Sequence, residues 1–298
     1  MTQVTASDVK LLREKTGAGM MDCKKALTET GGDIDAAVDF LRKKGLSAAE
    51  KKAGRVAAEG LVAAAAEGDA GVLIEVNSET DFVSKNDMFQ DFVTRLAGLT
   101  LAKAPADVEA LLALDFGDGK TVSEALNQLI ASIGENMNIR RIACVRAPGG
   151  VVGTYVHAGG KIATMVAVTG ATGSAAQALA RDFAMHVAAA NPQYINREQV
   201  AGDAIERERE VLSERAKATG KPANIIDKIV DGQMSKFYAE VCLLEQDFVK
   251  DPDQTVGKVL KAAADGAEVV AMQRFQLGEG IEKAASDFAA EVAAQVNG

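Results

Sequence analysis

A chain of 298 residues with 48% hydrophobic and 25% charged residues is long enough for two or three globular domains with real cores. A formal net charge of -9, from 33 basic against 42 acidic residues, together with the lack of any Trp, argues against a polyphosphate-binding surface, which needs a basic stripe with aromatics for stacking. No apolar stretch reaches the ~20 residues of a membrane span and MTQVTASDVK has no apolar signal core, so a soluble cytoplasmic protein is expected, with the scattered Cys23, Cys144 and Cys242 all buried as small hydrophobes.

The first forty-five residues read as three short helices. Thr5 and Asp8 form a capping-box pattern, Val9 and Leu12 share a face, and Gly17 and Gly19 close the segment. Met20, Cys23 and Leu27 make the core stripe of a second helix, which turns Met20 inward and leaves Met21 exposed; Gly31 and Gly32 stop it. Asp33 caps a third helix with Ile34, Ala37, Val38 and Leu41 at i, i+3, i+4 and i+7, and Gly45 ends it. Residues 46–59, rich in Ala and charge, read as a helical connector, so a three-helix domain and linker is expected over residues 1–55.

An internal repeat follows. Without gaps, residues 72–97 lie on residues 163–188, setting Asp91-Phe92 over Asp182-Phe183, and each copy reads strand, loop, helix. Each is preceded by an apolar stretch and a glycine turn, GLVAAAA before Glu67-Gly68-Asp69 and GTYVH before Gly159-Gly160, so each copy begins with a hairpin. The fold class is therefore α+β, with two related subdomains of small antiparallel sheets and helices over residues 56–148 and 149–280. The second is interrupted at about residues 197–240 by two amphipathic helices around TGKP, a helical hairpin. A last stripe, Ile281, Ala285, Phe288 and Val292, marks a C-terminal helical module over residues 281–298.

The chemistry of an enzyme is hard to find. His157 and His186 have no Cys, Asp or Glu at zinc-ligand spacing, and no nucleophile-base motif is present, so neither metal nor cofactor is expected. Gly119-Lys120-Thr121 ends like a phosphate loop, but position 114 is Leu where glycine is required, and no convincing helix start follows; Gly160-Lys161 fails similarly, and both read as turns.

One stretch resists the fold reading. After the buried strand GVLIEV comes NSETDFVSKNDMF, residues 77–89. Asp81 can cap a helix starting near Ser84, with Phe82 folding back as a hydrophobic staple. Against this, the second copy has Thr172 and Gly173 in register, so the fold closes without an aromatic here, and Phe82 is open to a partner.

TGAGMMDCKKALTETGGDIDAAVDFLRKKG, KKAGRVAAEG, EVNSETDFVSKNDMF, IGENMNIRR and FQLGEGIEK together resemble the bacterial elongation factor Ts family, in the family's order from about residue 4 to the C-terminus. The resemblance implies a ubiquitin-associated-like N-terminal domain, two related core subdomains and a protruding coiled-coil hairpin. It implies a guanine-nucleotide exchange factor for elongation factor Tu, not an enzyme, with no direct nucleic-acid or membrane partner, and it leaves open a homodimer or a heterotetramer with elongation factor Tu. By the family's pattern Asp81 and Phe82 intrude near the partner's magnesium and phosphates, held by Thr80 and Val83, while Met20, Met21, Ile133, Gly134 and His157 match further contact positions. An adaptor built on the three-helix domain and an enzyme with a cryptic site are the alternative classes.

Overall fold

Capping side chains and glycines punctuate the N-terminal helices. The structure, a computed structural model, describes residues 4–282. Helix α1 (Ala6–Thr16) opens with a capping box in which the Thr5 side chain accepts from the Asp8 amide and Asp8 accepts from the Thr5 amide, and it ends at Gly17 with φ 67°. Helices α2 (Met20–Glu29) and α3 (Ile34–Lys52), the latter capped by Asp33, join it around Val9, Leu12, Cys23, Ala26, Leu27 and Ala37.

Two readings of this region need correction. Met20 is 60% exposed: it opens α2, a turn before the buried Cys23, and the described residues leave most of its side chain uncovered. Helix α3 does not end at Gly45 but runs to Lys52, so only the first part of the connector is helical. Gly45 is buried against α6 (Val122–Ile133), and a Cβ there would stand 3.6 Å from the Asn127 carbonyl oxygen. Packing of that face outweighs the ~1 kcal/mol that a mid-helix glycine costs.

Strands β1 (Glu59–Glu67) and β2 (Ala70–Ser78), joined only by Gly68-Asp69, precede α4 (Asp87–Lys103), α5 (Val108–Leu112) and a small hairpin of β3 (Asp115–Gly117) and β4 (Lys120–Thr121). Contrary to the sequence reading, a helix does start after Gly119: Asp118 and Gly119 turn with φ 56° and 70°, and Thr121 caps α6 in a capping box with Glu124. Strand β5 (Met137–Arg146) completes a sheet in the order β1-β2-β5. From Gly71 to Ser78 every β2 residue is buried, as a central strand covered on both faces requires. Cys144, on edge strand β5, is exposed, so only Cys23 and Cys242 are buried thiols.

Strands β6 (Gly150–His157) and β7 (Ile162–Thr169) pair antiparallel, and β10 (Glu268–Gln276) extends them in the order β10-β7-β6. Helix α7 (Gly173–Ala190) lies directly on β6: a Cβ at Gly153 would come within 2.2 Å of the Ala180 carbonyl carbon. Helices α8 (Gly202–Lys217) and α9 (Ala223–Val241) form the hairpin, zipped by Leu212, Ala216, Val230 and Met234. Strands β8 (Asp247–Phe248) and β9 (Asp251–Thr255) and helix α10 (Val256–Ala263) follow.

The chain divides into two compact units. One holds the described parts of Met1–Ala63, Ile74–Ile142 and Gln276–Gly298, the other Ala64–Leu73 and Ala143–Phe275. In the ungapped register of the repeat, Phe89, Phe92, Val93, Leu96 and Ala97 of α4 fall on Ala180, Phe183, Ala184, Val187 and Ala188 of α7, and all ten are buried. Beyond its first two residues, the helical module expected over residues 281–298 lies outside the described residues.

Candidate functional site

Residues 79–86 connect β2 to α4, and side chains rather than a strand ladder hold them. Thr80 donates twice to one carboxylate, its amide to Glu135 Oε2 at 2.9 Å and its hydroxyl to Glu135 Oε1 at 2.7 Å. Glu79 returns the connection by accepting from the Asn136 amide, with Arg55 Nη1 at 3.3 Å from the same oxygen, while Asn136 Nδ2 donates to the Arg55 carbonyl at 2.7 Å. On the other flank Val83 is 3% exposed and roots a single 3-10 turn, Val83–Lys85. The Ser84 hydroxyl donates to the Asp81 carbonyl at 2.6 Å, and Gln90 Nε2 donates to the Ser84 carbonyl at 2.9 Å.

Asp81 and Phe82 stand between these anchors. Phe82 is 77% exposed, and the exposed Asp81 carboxylate has no hydrogen bond or ion pair among the described residues. Both fold-internal roles considered from sequence are thereby corrected. Asn86, not Asp81, caps α4, accepting from the amides of Met88 at 2.9 Å and Phe89 at 3.3 Å. Phe82 is no staple, because Val83 takes the buried position next to it.

The other candidates fall in three places. Ile133, half-buried, ends α6, and exposed Gly134 caps it with φ 91°; the chain then continues into Glu135 and Asn136, so hydrogen bonds join this turn to the Thr80 loop. Met20 and Met21, both exposed, border a separate groove of about 650 Å³ between α1 and α2, lined also by Val9, Arg13 and Lys24. His157 belongs to the second unit, exposed at the end of β6, with Nδ1 3.0 Å from the Tyr155 hydroxyl.

Beneath the loop, β2 carries a fully buried Glu75. Its carboxylate accepts from Arg141 Nε at 2.6 Å, Arg140 Nη1 at 3.1 Å, Asn77 Nδ2 at 3.2 Å and the Gly278 amide at 2.8 Å. Burial pushes its carboxyl up, but the Gly278 amide and the two guanidiniums outweigh that and hold it below the usual carboxylate range. In the second unit buried His186 donates from Nε2 to Gln246 Oε1 at 2.9 Å and accepts at Nδ1 from the Val249 amide at 3.3 Å; burial pulls its pKa below the ordinary value. Among the described residues no group of three His, Cys, Asp or Glu is placed to hold a metal ion, and no helix is long and apolar enough to cross a membrane.

A family model described as "Elongation factor TS" matches residues 79–279. The chain is 55% identical over 304 residues to "Elongation factor Ts" of Trichlorobacter lovleyi, covering 98% of each chain. It is 54% identical to that of Magnetococcus marinus and 56% identical to that of Rhodospirillum rubrum, covering 99% of both chains in each pair. The chain belongs to the elongation factor Ts family.

Elongation factor Ts is a family of translation elongation factors, and the match to it opens at Glu79, the first residue of the anchored loop. Sequence reasoning missed Glu79, Glu135 and Asn136 as the loop's supports. The available signal was a Glu-Asn pair directly after a helix-stopping glycine, in the quoted motif IGENMNIRR; its target, 55 residues away, was invisible.

Proposed function

We propose that this protein is a guanine-nucleotide exchange factor for elongation factor Tu that inserts Asp81 and Phe82 beside the partner's magnesium and nucleotide phosphates. The observation that carries this reading is a large aromatic, 77% exposed at the tip of a loop that is anchored on both flanks. An exposed Phe on a mobile tail is solvent-facing surface; one on a braced loop is a wedge, since little ordering entropy opposes its insertion. Asp81 arrives beside it with a carboxylate that has no hydrogen bond or ion pair among the described residues, suited to competing for cationic or donor groups around the phosphates.

No covalent step is needed. Nucleotide affinity in such a partner rests on backbone amides and Mg²⁺ around the phosphates, each charge-assisted bond worth about 1.5 to 3 kcal/mol. Displacing two or three of them raises the off-rate about 10³ to 10⁶-fold, at 1.4 kcal/mol per decade. The factor leaves when new nucleotide binds, so it speeds exchange without shifting the GDP/GTP equilibrium. Ile133 and Gly134 extend the contact surface of the first unit, Met20 and Met21 offer an apolar docking edge on a ubiquitin-associated-like domain, and His157 adds a polar contact from the second unit. The expected setting is the cytoplasm.

The test is release of labelled GDP from elongation factor Tu. Phe82→Ala should retain the fold and lose most of the acceleration; wild-type acceleration by that variant removes the wedge.

A further inference from the structure

Glu135 makes no hydrogen bond or ion pair with Asp81 or Phe82, yet both of its carboxylate oxygens engage a single residue, the one that precedes them. The Thr80 amide and hydroxyl lie 2.9 Å and 2.7 Å from Oε2 and Oε1. The second carboxylate link, from Glu79 back to the Asn136 amide, makes the arrangement reciprocal: segments 79–80 and 135–136 each present a carboxylate to the other's backbone. Two donors on one residue fix position and also orientation, and an ionised acceptor makes both bonds stronger than neutral ones.

The fold does not require this clamp. Thr80 is only half-buried, so water can reach its donors, and the register equivalent in the second repeat is Ala171, which has no hydroxyl. The clamp exists only where the loop exists. We propose that Glu135 is a positioning residue for nucleotide exchange: it holds the backbone at Thr80 so that Asp81 and Phe82 are presented in one geometry. This rests on the insertion reading above and adds to it the element that aims the wedge.

The experiment uses the full chain and elongation factor Tu loaded with fluorescent GDP. It records the maximal release rate and the concentration of this protein that gives half of it. Glu135→Ala is expected to lower the maximal rate by about tenfold or more, as the loss of charge-assisted bonds at an insertion site implies, while the half-maximal concentration stays within about threefold. Its thermal midpoint should stay near wild type, and amide exchange at residues 79–83 of the isolated protein should accelerate. Glu135→Gln recovers most of the rate, because its amide oxygen accepts from the Thr80 N–H and its NH₂ donates to the hydroxyl. Thr80→Val, which removes the hydroxyl alone, gives an intermediate loss and carries the test if Glu135→Ala does not fold.

A wild-type maximal rate in the folded variant overturns the proposal, as does a loss confined to the half-maximal concentration, which would make Glu135 a contact residue. Phe82→Ala in the same assay separates the two readings. Wild-type release by Phe82→Ala removes the wedge itself, whereas unchanged amide exchange at residues 79–83 in Glu135→Ala removes the clamp whatever the wedge does.

Discussion

β7 reaches α7 through three residues, Gly170–Thr172, whereas β2 reaches α4 only after residues 79–86, although the two helices bury the same five register positions. The short passage depends on glycine: Gly170 and Gly173 adopt φ 74° and 84°, and a Cβ at Gly170 would stand 2.5 Å from the Gly266 carbonyl oxygen. Their register partners in the first repeat are Glu79 and Phe82, and Phe82 keeps φ at -62°. Side chains at those positions disfavour the tight left-handed turn, so the chain opens into a loop that hydrogen bonds hold. The comparison teaches that strand and helix are tied down by packing at matched positions, while the link between them is the part of the repeat free to differ from one copy to the other.

The largest expected contrast lies among the phenylalanines. Phe82→Ala should cost about a hundredfold or more in GDP release, a hot-spot-sized loss, with unfolding free energy within about 0.5 kcal/mol of wild type. Phe92→Ala and Phe183→Ala should each destabilise by about 3 to 5 kcal/mol in denaturant titration, since both rings are buried at matched positions. A Phe82→Ala protein that melts like the other two would show the ring to be core, and the comparison would collapse.

Next comes Gly153→Ala, expected to cost about 1 to 3 kcal/mol because the added methyl meets helix backbone that cannot swing aside. Full stability would mean that α7 is not held against β6 as closely as described. The helix starts give a smaller contrast. Asn86→Ala should cost about 1 kcal/mol, whereas Thr172→Ala should be close to neutral, because Asn86 caps two amides and Thr172 makes no side-chain cap. Equal losses in thermal unfolding would contradict the different helix entries.

Acid should separate the two copies' surroundings more gently. His186 has a depressed folded pKa, so below its unfolded value of 6.5 the unfolded chain binds the extra proton and stability falls with pH. Glu75 is also depressed, but from 4.5, so its contribution, fully present above that value, is lost only as pH falls further through its folded value. Between pH 7 and about 5 the destabilisation should therefore come from His186 and be blunted in His186→Gln. Unfolding curves whose slope in that window is unchanged by the substitution would sink this assignment.

Much of this was legible in the chain. The Thr5–Asp8 capping box, the hairpin around TGKP and the repeat announced themselves because they rest on interactions between residues three or four apart, or on a period that survives divergence. The loop's tip was legible too, since Phe82 had no counterpart in its own repeat. Misreadings came where a local rule met a distant neighbour. Gly45 would stop an isolated helix, but α6 covers it; Met20 has core spacing, but lies mostly exposed at the start of α2; Thr121 and Glu124 carried a capping-box signal that the likeness to a phosphate loop obscured.

The sequence by itself determined the family, the α+β elements and the residue types at the loop's tip, because periodicity, caps and motif residues are properties of short stretches. Only the tertiary structure decided that Asp81 caps nothing, that Phe82 stays outside, and that Glu135 grips Thr80 across 55 residues while Gly278 meets Glu75 across 203. Those outcomes depend on which surfaces the packed helices and sheets cover. No local pattern encodes where a carboxylate will find its donors once the chain has closed on itself.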